Sequence, residues 1–194
     1  MSDLGRLALA TVLLAIATES IHARKKPHRE KKPAGEQKPS PNDIEAATRL
    51  QIFLDRANFS PGKIDGQYND LTLKALALYR QSRGEPPPPP FSKPGTPPDT
   101  SGLDLSSVTP VFISYVVTEA DLQTVGQVPN AVRDQAKLKF LPYRNIAEAI
   151  SEKFHCDVHF LEQLNPGKST QIKAGDKMMV PNVEPFEIAA VKNL

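Results

Sequence analysis

Cysteine is nearly missing from this chain. Cys156 stands alone among 194 residues, so no disulfide can form within one molecule and a disulfide-framed fold is excluded. Long apolar runs are missing too. The run LALATVLLAIA at residues 7–17 falls short of the roughly 20 residues a helix needs to cross a bilayer. A large excess of charge is also lacking, since the formal net charge is +2, and even that excess is local. Residues 22–40 hold seven basic side chains against Glu30 and Glu36, whereas from residue 41 onward 16 basic groups meet 18 acidic ones. The part of the chain able to fold is therefore no polyanion binder by charge, and nucleic acid is not expected as a partner.

Catalytic chemistry is equally sparse. The run HCDVH at residues 155–159 places His155 and His159 beside Cys156. A nucleophile needs a base in reach and an oxyanion site, and a metal needs three or four converging ligands. No second cluster accompanies this run, so Cys156 reads as a partly buried structural thiol. Asp121 and Asp176 each adjoin a turn and read as caps. No catalytic residue, metal or other cofactor is expected.

What the chain does have is marked segmentation. Arg6 precedes the apolar run, and small side chains follow at Ser20 and Ala23. That is the layout of a secretory signal peptide over residues 1–23, with export to the periplasm or cell envelope. If it stays uncleaved, this segment is the chain's membrane contact. Residues 24–41, RKKPHREKKPAGEQKPSP, lack large apolar groups and are expected to be a disordered basic spacer. The 19 prolines cluster here and in residues 85–107, where five in a row predict a stiff, extended linker.

Between the two lies a helix pair, residues 42–84. Ile44, Ala47, Leu50, Phe53 or Leu54, and Ala57 recur at helical spacing after a cap at Asn42 or Asp43. A second helix runs from Leu71 to a stop at Gly84. The connector FSPGKIDGQYND, residues 59–70, is elaborate for a helix hairpin. Gly62 permits a tight turn, and Asp65-Gly66 is a turn pair. Ile64 is expected between the two helices. Asn69 tolerates left-handed backbone, and Asn69 or Asp70 caps the second helix, with Thr72 in its first turn. Beyond the linker, residues 108–185 read as β–α–α–β: a strand over VFISYVV, two helices within NIAEAISEKFHCDVHFLEQLNPG, and a turn plus strand in IKAGDKMMVPN. Residues 123–143 form an insertion, and residues 186–194 a tail. The fold class is α+β.

Leu50, Gln51, Leu54, Phe59, Pro61, Gly62, Ile64, Asp65, Gly66, Thr72 and Ala75 match a known pattern: a helix with L-Q, a loop ending I-D-G-x-x-G-x-x-T, and an apolar helix. The segment resembles the peptidoglycan-binding-like helical domain of wall hydrolases and L,D-transpeptidases. Asn69 replaces the second glycine of that pattern, and the third helix is replaced by the proline run. The resemblance implies a shallow polar site for glycan or stem peptide at Ile64, Asp65, Gly66, Asn69 and Thr72.

The later block carries Tyr115, Val117, Asp121, Leu122, Ile150, Phe154, Val158, Leu161, Leu164, Asn165, Ile172, Gly175, Met178, Val180 and Pro181. It resembles a LysM domain, a module for N-acetylglucosamine polymers, with Ala120 in place of the usual turn glycine. The resemblance implies a groove between two loops: Thr118, Glu119, Ala120 and Asp121 on one side, and Asn165, Pro166, Gly167, Lys168 and Ile172 on the other. Such a groove suits a neutral glycan, because backbone groups bond N-acetyl and hydroxyl groups while apolar side chains meet the sugar faces. The joint order of segments is similar to the N-terminal half of bacterial L,D-transpeptidases, whose S-H-G-C-type motif does not occur in this sequence. The expectation is a non-catalytic, peptidoglycan-binding protein with glycan strands as partner. A split transpeptidase lacking its cysteine domain is an alternative, and so is a scaffold for an envelope protein partner.

Overall fold

The computed structural model describes residues 39–90, 95–168 and 171–184, all within one compact unit. The expected signal peptide, most of the spacer and the tail at residues 186–194 lie outside the described residues. The class is α+β: six helices and a small antiparallel sheet.

Helix α1 spans Pro41–Arg56. Its cap is Ser40 rather than Asn42 or Asp43: Ser40 and Asp43 form a reciprocal capping box, with Pro41 in the first helical turn. Helix α2 spans Asp70–Ser82, capped by Asn69, whose side chain accepts from the Thr72 amide at 2.9 Å. Asn69 has φ −115°, so it is extended rather than left-handed. Left-handed backbone falls at Gly62 and Gly66 instead. Leu50 and Leu54 of α1 pack on Ala75 and Leu76 of α2. The stretch after the prolines returns to this pair. Leu103 and Leu105 pack against it, and the Arg80 guanidinium donates to the Asp99 and Ser101 carbonyls.

Strand β1, Phe112–Val116, pairs antiparallel with β2, Lys177–Pro181, from Phe112 opposite Pro181 to Val116 opposite Lys177. Between the strands come two one-turn helices, α3 (Glu119–Leu122) and α4 (Val132–Gln135), then α5 (Ile146–Lys153) and α6 (Val158–Leu164). Ile150, Phe154, Phe160, Leu161, Met178 and Val180 make the core beneath the sheet.

That core does not stop at the strand-flanked block. Ile52 of α1 and Ile64 of the connector, both fully buried, belong to it. Ile64 therefore does not sit between α1 and α2, where the sequence places it. It faces the turn joining α5 to α6, where its amide donates to the His155 carbonyl at 2.8 Å and its carbonyl accepts from the Asp157 amide at 2.9 Å. These two bonds form a short parallel bridge between the two segments. Helix α1 thus buries two faces: Leu50 and Leu54 toward α2, Ile52 toward the block.

Candidate functional site

The sheet register decides which loops meet. Val116 is paired with Lys177, so the segment leaving β1 and the segment entering β2 lie at the same end of the sheet. Two further bonds fasten them beyond the strands: Val117 N–H donates to the Asp176 carbonyl at 2.9 Å, and Gly175 N–H to the Val117 carbonyl at 2.8 Å. The first predicted loop opens at this end, and the second reaches toward it through Lys168, whose ammonium donates to the Lys177 carbonyl at 3.3 Å. Thr118, Glu119, Ala120, Pro166, Gly167 and Lys168 are exposed, while Asp121, Asn165 and Ile172 are buried.

The buried members hold the loops rather than face solvent. Asp121 accepts from the Tyr115 hydroxyl at 2.6 Å, from the Thr118 amide and hydroxyl at 2.8 Å each, and from the Lys153 ammonium at 3.1 Å. Burial alone would raise the Asp121 pKa. The bonds from Tyr115, Thr118 and Lys153 outweigh that and hold its carboxyl below the usual range. Burial likewise works against the Lys153 ammonium, yet its bonds to Tyr115 and Asp121 keep its pKa above the ordinary lysine value. The first loop is therefore clamped to β1 and α5 by one charged network. On the other side, the Asn165 amide donates to the Leu161 and Met179 carbonyls and accepts from the Met179 amide at 2.7 Å. This clips the end of α6 to β2. Gly167, at φ +77° with nothing within 4 Å of a built Cβ, makes the exposed corner.

The connector of the helix pair is organised differently. Gln51, fully buried on α1, is its hub. Its Nε2 donates to Asp65 Oδ1 at 2.7 Å, to the Gln67 carbonyl at 3.1 Å and to the Thr72 hydroxyl at 3.2 Å. Its Oε1 accepts from the Asp65 and Gly66 amides. The remaining Asp65 oxygen accepts from the Asn69 amide at 3.0 Å. Four of the five predicted residues here, Asp65, Gly66, Asn69 and Thr72, thus share one inward network, and the fifth, Ile64, sits in the core. Gly66 is also pressed from both sides of the seam: a Cβ there would stand 2.8 Å from the Phe160 ring of α6 and 3.0 Å from Ile44 of α1. The role of Gln51 was not assigned from the sequence. The signal for it is a lone amide within LQIFL, on a helix buried on two faces.

The seam between the helix pair and the block contains a cleft of about 300 Å³ lined by Asp55, Ser60, Lys63, Glu152, His155 and Cys156 among others. Side chains meet across the seam, His155 Nδ1 with Asp55 at 2.9 Å and the Lys63 ammonium with Glu152 at 3.3 Å. Cys156 is 1% exposed, and burial pushes its thiol up to about 12, so it is protonated at neutral pH and a poor nucleophile. Among the described residues no group of three or more His, Cys, Asp or Glu side chains could hold a metal ion, and no helix is long and apolar enough to cross a membrane.

The insertion is a fastened loop. The Gly126 amide donates to the Tyr143 carbonyl at 2.9 Å and the Tyr143 amide to the Thr124 carbonyl at 3.0 Å, which closes its base. The Gln135 amide ties α4 to the Pro129 carbonyl at 2.7 Å. No protein-family model matches the chain, and no curated protein matches it.

Proposed function

We propose that this chain is a non-catalytic peptidoglycan-binding protein, exported to the periplasm or cell envelope, that holds N-acetylglucosamine-containing glycan at the loop end of its strand-flanked block. One observation carries the reading. The chain leaves β1 into residues 118–121 at the sheet end where residues 172–176 enter β2, and the buried polar side chains of the two loops, Asp121 and Asn165, are fully engaged with β1, α5 and β2. What remains outward is loop backbone with Thr118, Ala120, Pro166 and Gly167, flanked by one acidic and one basic side chain, Glu119 and Lys168. A mostly neutral, pre-set backbone surface suits a neutral sugar, because little ordering is left to do on binding. The order β1, α5, α6, β2 supports a LysM-like arrangement, with α3 and α4 added before α5.

In this reading the helix pair is a support and not a second glycan site. Its connector spends its polar groups on Gln51 and its apolar residue on the block's core. Cys156, buried and protonated, has no part in chemistry.

Sedimentation with insoluble peptidoglycan sacculi tests the reading. The purified chain should co-sediment, and soluble N-acetylglucosamine oligomers should release it. A chain that stays in the supernatant contradicts the proposal.

A further inference from the structure

The insertion presents apolar surface that the fold does not use. Val132, Leu138, Phe140 and Leu141 are 77%, 39%, 65% and 58% exposed, four of the eight large exposed hydrophobic residues among those described. Exposed apolar groups gathered in one segment mark a contact site more often than chance. Part of this surface is a shaped cleft of about 260 Å³, lined by Gln123, Val125, Gln127, Leu138, Phe140 and Pro142 among others. Its frame is rigidly tied. The Val125–Tyr143 bridge closes the base, and Gly126 lets Pro142 approach to 3.1 Å of where a Cβ would stand.

We propose that this cleft is an additional sugar subsite, taking one N-acetylated hexose unit of the same glycan with its apolar face on the Phe140 ring. The inference rests on the glycan-binding reading above. Three observations carry it. An exposed ring stands at the cleft in a chain without tryptophan, and a flat ring matches the C–H face of a pyranose. Gln123 and Gln127 line the same cleft, and a glutamine side chain carries donors and an acceptor that suit sugar hydroxyls and an N-acetyl group. Neither makes a side-chain hydrogen bond among the described residues. Finally, the edge of the cleft lies next to the first loop of the candidate site through Gln123. Gln123 directly follows α3, a single turn that starts after Thr118, so about 6 Å of helix at 1.5 Å per residue separates the two. In this proposal a glycan seated on the first loop passes Gln123 to meet the Phe140 ring.

The test is calorimetric titration of the full chain with N-acetylglucosamine oligomers of increasing length, in wild type and Phe140→Ala, with Gln127→Ala as a second variant. Wild type should bind long oligomers more tightly than short ones. Phe140→Ala should lose about tenfold in affinity for the long oligomers, equivalent to about 1.4 kcal/mol, and keep the affinity for the shortest oligomer that binds. Gln127→Ala should show the same length-selective loss, smaller in size. Unchanged affinity for long oligomers in both variants overturns the subsite while leaving the glycan-binding reading intact. No binding of any oligomer by wild type overturns both. Retention of wild type on vesicles of anionic phospholipid, lost in Phe140→Ala with oligomer affinity unchanged, assigns the surface to a membrane and also overturns the subsite.

Discussion

Two irregular connectors of this chain invite comparison: residues 59–69, between α1 and α2, and residues 123–143, between α3 and α5. Both are pinned at their bases by backbone bonds. They differ in where their side chains go. In the first, Ile64 and Gly66 are buried, and Asp65 and Asn69 bond each other, Gln51 of α1 or Thr72 of α2. In the second, Phe140, Leu141 and Val132 stand in solvent. A connector that consumes its own polar groups and buries its apolar one works for the fold. A connector held firmly while its apolar groups face outward is available to a partner. The first carries the recognisable motif, and the second carries the free surface.

The sharpest way to break this contrast is at Gly66. It has φ +68°, and a Cβ would meet the Phe160 ring at 2.8 Å. Gly66→Ala combines left-handed strain with overpacking and should cost about 3 kcal/mol, read as a lowered urea midpoint with one cooperative transition. A loss below about 0.5 kcal/mol would show that the connector is not seated on α6. Gln51→Ala comes next. It leaves the Asp65 and Gly66 amides without their acceptor and should cost about 2–3 kcal/mol, again across one transition because the helix pair and the block share a core.

Asp121→Asn should cost about 2 kcal/mol at neutral pH, since it weakens the clamp on Thr118, Tyr115 and Lys153. Its pH dependence is distinctive. The folded carboxyl titrates below its unfolded value, so its contribution is present above about pH 4 and fades as pH falls through the folded pKa. The gap between wild type and variant should hold near neutrality and close in acid. Lys153 has the opposite sign. Its raised pKa makes its contribution complete below about pH 10 and lost as pH rises past its folded value. A gap that widens in acid would remove the clamp from the account. The smallest effect is expected at Phe140: Phe140→Ala should move stability by less than about 0.5 kcal/mol, so that any loss of ligand affinity there is not a folding defect.

Hydrophobic periodicity was enough to find α1, α2, α5, α6 and both strands, and with them the α+β class. The first cap was placed too late. Apolar spacing points to Asn42 or Asp43 just before Ile44, while the Ser40–Asp43 pair with Pro41 is the stronger start signal. Ile64 was misplaced for a different reason. Its neighbours in sequence are the two helices, but its bonding partners are His155 and Asp157, and no local pattern reports a contact over that separation. At the candidate site the sequence indicated which residues lie at the loop end but not which way they point. A polar side chain at a turn can hold the turn or greet a ligand, and Asp121 and Asn165 hold it. The seam itself was not read from the sequence, which divides into a helix pair and a block on either side of the proline linker. Periodicity reports one apolar face of α1, whereas Ile52 and Gln51 beside it are also fully buried, and no local pattern names what covers them.

The most direct measurement is amide chemical-shift mapping of the labelled chain during titration with N-acetylglucosamine oligomers. The account predicts shifts concentrated at residues 118–121, 165–168 and 172–176, extending to Phe140 with longer oligomers, and little change at residues 60–72. Shifts confined to residues 60–72 would contradict it, because the glycan would then be read by the connector that this structure turns inward.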